Sequence, residues 1–481
     1  MLRRSILSLV IVLGAANAFA GTGRILIINN DRAGTGFNDP TPATPIGGNT
    51  GTTRGQQRLN VFLAAAQTWQ SNLDTNVDIR VSASFAPISG CTATEGILGQ
   101  ASPVEWRHDS EGVPKAEAWY PIALANKFAN RDLAPGVDDI NVRFNADVDN
   151  ATCLGTASWY YGLDGNHGSD SDLFVVVLHE LGHGLGIAGK GSLPNFSDAI
   201  PTISDTHIID VTTGLRWNQM TSDEREASML NNGNLAWDGE KVRSETLRFL
   251  QPATTLTISA PAAIARNYDI GTASFGPAVN KSFVSGRVIV GTDDANADGP
   301  TTTDGCSPLT NASAVAGRIA LIDRGSPPAP AEPCTFVKKV RNAQAAGAIG
   351  VIIADNAQAC GAPSMGGSAT DVTIPVISIT LADANALKAQ LNASAPVEAS
   401  FRNDPSQLAG TTREGYLRLY APCAFEAGSS IRHWDTTASP NLLMEPFVSS
   451  DLLHGLDLTI YQLFDLGWSQ PPRSGRRILK K

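Results

Sequence analysis

The sequence predicts an α+β protein: a mixed strand-and-helix region interrupted by a β-rich α/β module. Three observations lead there. Apolar strands and an amphipathic helix succeed one another between Arg24 and Asn145. A long apolar helix then ends in His179-Glu-Leu-Gly-His183. From Pro252 to Arg402 the texture changes to β-branched residues, Gly and Pro, with strands and a helix in alternation. At roughly 150 residues per domain, 481 residues allow about three domains or subdomains.

The elements follow in order. Residues 24–29 read as a buried strand, and the Gly-, Pro-, Thr- and Asn-rich stretch 31–55 as a long loop. Leu59, Phe62, Leu63, Ala66 and Trp69 recur at helical spacing, which predicts an amphipathic helix over 59–73. Residues 77–85 and 139–145 alternate apolar and polar like half-buried strands. In the second region, strands are expected at 284–290, 317–323, 348–354 and 374–379, with a helix over 336–346 closed by Gly347. A last helix is expected near 457–468.

Composition narrows the function. With 36 basic against 46 acidic residues the net charge is −10, which repels phosphate backbones and excludes a nucleic-acid partner. The basic Met1-Leu-Arg-Arg4, the apolar run that follows and Ala18-Phe-Ala20 predict a cleaved export signal over 1–20, with Gly21 as the mature start. No later segment is apolar for long enough to span a membrane, so export to the exterior, periplasm or cell surface is expected. Six cysteines (Cys91, Cys153, Cys306, Cys334, Cys360 and Cys423) with no Cys-x-x-Cys pair favour disulfides in that compartment. Pairing in adjacent order is the simplest of 15 connectivities. Residues 471–481 read as a basic solvated tail.

The chemistry concentrates at His179-Glu-Leu-Gly-His183. Residues at i and i+4 share one helical face, so two imidazoles there can converge on one Zn²⁺ at ~2.0–2.1 Å. Glu180 lies about 100° further round and can reach a water on the metal. A chance match to this pattern is expected at only about 0.005 per chain of this composition. Ser169 or Ser171 is the expected cap of the helix, with Asp170 and Asp172 complementing its dipole. Gly182, Gly184 and Gly186 each cost roughly 1 kcal/mol in a helix. Their use implies close packing and a sharp break after the second ligand.

With Gly184-Leu-Gly186 added, this string resembles the active-site helix of metzincin zinc proteases. Gly189 occupies the usual third-His position, so the short form of the motif is excluded. His433-Trp434-Asp435 and Leu443-Met444 resemble the leishmanolysin-like branch, in which a third His and a Met-turn follow an insertion. The resemblance implies one Zn²⁺ held by His179, His183 and His433 and a Met-turn at Met444, with His454 and Asp435 as candidate supports around the site. It also implies a secreted metalloendopeptidase that hydrolyses protein or peptide substrates through Glu180-assisted attack of a zinc-bound water. Pro446 stands two residues after Met444, so the extra Tyr ligand of some metzincins is absent.

Residues 317–325, 334–339 and 343–356 are similar to a protease-associated (PA) domain, with an insertion at 326–333. The expected organisation is therefore a catalytic domain over 21–250 and 405–470, interrupted by a PA insert over 251–404. The ends of the insert should meet near Leu250 and Asp404, and the ring nitrogens of the three histidines should lie within about 4 Å. Glu224 or Glu226 could serve as third ligand in another clan of zinc protease, though a capped, solvated helix explains that cluster more simply. His207 is a weaker candidate. Calcium could be held at acidic residues 293–298, where an exposed loop is the plainer reading. The contrasting function is an exported, non-catalytic binding protein that uses the PA module and a structural zinc.

Overall fold

The computed structural model describes residues 21–155, 157–190, 200–327, 333–358, 360–449 and 451–471. The expected export signal and nearly all of the basic tail lie outside them. The described residues pack as two compact units, one of 21–190, 200–204 and 453–471 and the other of 205–452.

The first unit is built on a four-stranded sheet. Ile25–Asn29, Ile79–Ala86 and Ile140–Asn145 lie side by side in parallel, and Gly99–Pro103 runs antiparallel along the edge. The helix Arg54–Gln70 packs Phe62 and Trp69, both fully buried, toward this sheet, with Phe62 edge-on to Phe37 and Phe144. It starts five residues before the apolar periodicity does. Thr53 caps it, and polar Gln57 and Arg58 are buried in its first turns. Gln57 donates to the Thr44 and Gly51 carbonyls and Arg58 to Asp149, so satisfied polar burial hides this stretch from a hydrophobic pattern. The expected loop 31–55 is pinned rather than loose. The Asp31 carboxylate accepts the Phe37 and Phe85 amides, which clamps the short helix Gly36–Asn38 to the sheet. The helix Ile122–Ala129, unmarked by the sequence reading, belongs to the same unit. Among the described residues no helix is long and apolar enough to cross a membrane.

The second unit holds an eight-stranded mixed sheet. Its middle is four parallel strands, Val284–Val290, Ile319–Asp323, Gly350–Ala354 and Val376–Ile379. Both faces are buried, which is why these strands read as unbroken apolar runs. The long strands Pro252–Ala260 and Glu398–Leu408 pair antiparallel and bring Ala253 opposite Asp404, so the two ends of the segment are adjacent. A separate small sheet joins Ile208–Asp210 and Leu235–Trp237 to Leu417–Arg418. Those pairings tie the chain before the large sheet to the chain after it. Among the described residues the compact units part between 204 and 205 and between 452 and 453. All six cysteines are bonded, Cys91–Cys153 in the first unit and Cys306–Cys334 and Cys360–Cys423 in the second.

Candidate metal centre

The helix Leu173–Leu185 carries the first part of the site. Its cap is Asp172, whose carboxylate accepts the Phe174 amide at 3.0 Å, and not Ser169 or Ser171 as expected. The reason is local. Ser171 and Asp172 pair with Trp159 and Tyr160 as a short parallel ladder, so the backbone turns helical only after Asp172. Residues 173–178 are buried throughout. The Leu178 carbonyl accepts the Trp69 indole N–H at 3.1 Å, which fixes the helix midway along. At Gly184 a Cβ would lie 2.2 Å from Ile140 Cγ2, so only glycine allows the helix this close to the sheet. Gly186 ends the helix at φ +139°, a conformation open to glycine.

His179 Nε2 and His183 Nε2 lie 3.1 Å apart. His183 Nδ1 donates to the Ile187 carbonyl at 2.7 Å, where the break at Gly186 turns the chain back over the ring. That bond places the ring proton on Nδ1 and the lone pair on Nε2, and two imidazole nitrogens this close must share a proton or a cation. His433 is oriented in the same manner, its Nδ1 donating to the Ser429 carbonyl at 2.7 Å. Among the described residues, His179, His183 and His433 are the group that could hold a metal ion, their ligand atoms all within 4.8 Å of one another. This is wider than the expected 4 Å. Three nitrogen donors with no competing acid group are a donor set suited to Zn²⁺. The two backbone carbonyls that set the ring tautomers escaped sequence reasoning, since any residue supplies a carbonyl.

Glu180 is buried, and burial pushes its carboxyl up to about 8. Gly99, in the edge strand, passes so near that a Cβ there would stand 3.0 Å from Glu180 Cγ and Oε1. A side chain at Gly99 would displace the acid, a constraint that a lone glycine in a strand does not announce.

The other candidates take different places. Met444 is fully buried, and its carbonyl accepts the Trp434 amide at 2.7 Å, one residue past His433. Asp435 accepts the Thr437 amide and hydroxyl, so it shapes its own turn. His454 donates to Asp172 at 2.7 Å, at the start of the helix, seven residues or ~10 Å of axial rise before His179. It does not adjoin the ligands as a support would. Glu224 is exposed and closes a capping box, accepting the Thr221 amide at 2.8 Å, and Glu226 is exposed. Neither belongs to the metal-competent group. His207 stacks on Trp237 with ring centroids 5.1 Å apart. In the acidic loop Asp298 pairs with Lys338 at 3.3 Å and Asp293 accepts the Ser307 amide, which leaves no convergent calcium cage among the described residues.

Residues 284–387 match the PA domain family. This segment is a PA domain. It contains the four parallel strands of the second unit's large sheet and the helix Phe336–Ala345. A 115-residue stretch, 22% of this chain, is 33% identical to the ER degradation-enhancing alpha-mannosidase-like protein 3 of Xenopus laevis, of which it covers 11%. A 54-residue stretch, 11% of this chain, is 52% identical to the Homo sapiens protein of the same name and covers 5% of it. The chain spans about a tenth or less of the length of these curated relatives. Among solved structures, a zinc aminopeptidase from Bacillus subtilis aligns at 21% identity over 38% of this chain and 37% of that one, with a TM-score of 0.21. An aminopeptidase from Aneurinibacillus sp. strain AM-1 aligns at 18% identity over 43% and 42%, with a TM-score of 0.22. Scores this low do not indicate a shared fold.

Proposed function

We propose that this chain is an exported zinc-dependent peptide hydrolase carrying a PA domain, and more narrowly an endopeptidase of the leishmanolysin-like metzincin branch. The observation that carries the reading is the convergence of His179, His183 and His433, with a buried acid, Glu180, on the helix of the first two. The three imidazoles would hold the ion and leave a fourth position open, unlike a closed structural site with four protein ligands. Bound zinc supplies a Lewis acid and lowers the pKa of a water. Glu180 would take a proton from the attacking water and return it to the leaving amine. Its low-dielectric surroundings raise its affinity for that proton, which suits a group that must carry one between two partners. The Nδ1 bonds of His183 and His433 to backbone carbonyls hold both rings in the ligating tautomer. The narrower assignment is supported by the His433-Trp-Asp435 string, by Met444 eleven residues on, and by the bond from the Trp434 amide to the Met444 carbonyl. Three disulfides accord with an oxidising compartment.

The test combines metal content with turnover. Zinc-loaded mature protein should cleave casein, lose that activity to a chelator and regain it with zinc, while His433→Ala should lose most of the bound metal. Intact casein with one tightly held zinc per chain would instead favour the non-catalytic binding protein. Full zinc retention by His433→Ala would refute the ligand set.

A further inference from the structure

One side chain outside the metal site is placed to act on the helix that carries it. His454 Nε2 lies 2.7 Å from Asp172 Oδ2, while the other oxygen of the same carboxylate caps the helix through the Phe174 amide. The ring stacks on Phe174, with centroids 4.3 Å apart and planes inclined by 23°. A protonated ring makes the bond to Asp172 a charge-assisted one, stronger than the bond a neutral ring would make. The same C-terminal segment also grips the far end of the helix, where the Trp468 indole donates to the Leu185 carbonyl at 2.9 Å.

We propose that His454 is a positioning residue for the helix Leu173–Leu185: as an imidazolium bonded to Asp172 and stacked on Phe174, it latches the C-terminal segment onto the start of that helix. The groups that face it are Asp172 and Asp164. Tyr160 binds Asp164, His167 and Asp170 belong to the same loop, and Asp457 lies on its own segment. No lysine or arginine is among them. Burial lowers the His454 pKa, but the bond to Asp172 and the charges of Asp172 and Asp164 outweigh it, so the net shift is upward. The latch is therefore fully engaged below the unfolded-state value of about 6.5 and released as pH rises through the folded-state value. Its consequence for the metal rests on the zinc reading above. With the latch open, the helix start frays and the His179–His183 pair is held less firmly.

The experiment uses the full mature chain without metal. Amide hydrogen exchange over residues 173–178, corrected for intrinsic rates, is compared between wild type and His454→Gln at about pH 6 and about pH 9, either side of the histidine range. Loss of a charge-assisted bond predicts roughly tenfold weaker protection at the lower pH and much less at the higher. Asp172→Asn in the His454→Gln background should add no further pH-dependent loss, and the His454 ring should titrate above ~6.5 by NMR. Equal protection in both proteins at about pH 6, or the same loss at both pH values, would overturn the latch. Zinc affinity, measured by competition with a chromophoric chelator, should fall several-fold in His454→Gln. If neither protein binds zinc while the exchange difference persists, the metal reading fails and the latch stands.

Discussion

Glu180 is where burial and chemistry meet most directly. Its conservative replacement Glu180→Gln should keep zinc, because the residue is no ligand, and lower casein turnover by about 10²–10⁴-fold, the usual worth of a general base. Metal analysis beside a turnover assay checks both halves. The same residue sets a pH dependence in the metal-free protein. Burial raises its folded-state value from 4.5 to about 8, so the folded state binds the extra proton. The destabilisation is absent below the unfolded-state value and complete above the folded one. Chelator-treated wild type should therefore lose thermal stability relative to Glu180→Gln as pH rises from about 5 to about 9. Parallel melting curves across that range would refute the buried-acid account.

The helix Leu173–Leu185 is legible in sequence as an element and illegible in its detail. Its apolar run, its two histidines and its terminal glycines all lie within one short window, so local physics suffices to find it. The cap was missed because Asp172 is also the end of a two-residue ladder with Tyr160, a pairing that local sequence does not encode. Gly184 was expected to permit close packing, and its partner is Ile140. Gly184→Ala should cost about 1–3 kcal/mol through overpacking, visible as a lowered melting temperature with secondary structure unchanged. Elements missed outright, such as Ile122–Ala129 and Gly99–Pro103, are short. A short element offers too few residues for a period to show. The early start of Arg54–Gln70 was hidden for another reason, since Gln57 and Arg58 are buried through hydrogen bonds that lie far apart in sequence.

Across the whole molecule, the disulfides are the long-range ties. Cys91–Cys153 and Cys360–Cys423 close loops of 62 and 63 residues, and Cys306–Cys334 one of 28. Chain-entropy arithmetic gives about 4 kcal/mol for closing a loop of such length. The double replacement Cys360→Ser/Cys423→Ser should thus lower the denaturant midpoint by roughly that free energy. The small sheet made by Ile208–Asp210, Leu235–Trp237 and Leu417–Arg418 has the same long reach and no sequence signature. Strands of two and three residues separated by some 180 positions pair only because the large sheet between them returns the chain to its starting point.

The sequence by itself determined the two-histidine helix, the acid beside its first histidine and the four apolar strands of the PA domain, and left fifteen pairings of the six cysteines open. Each of the three depends on residues within one window. The tertiary structure decided which carbonyls orient His183 and His433, that Asp172 rather than a serine caps the helix, and that His454 meets Asp172 across 282 positions. It also decided where the compact units part. Those features depend on backbone groups common to every residue, or on strand pairings and side-chain meetings between distant segments. Neither leaves a periodic trace in the chain, because the free energy that selects them arises only after the apolar faces have packed.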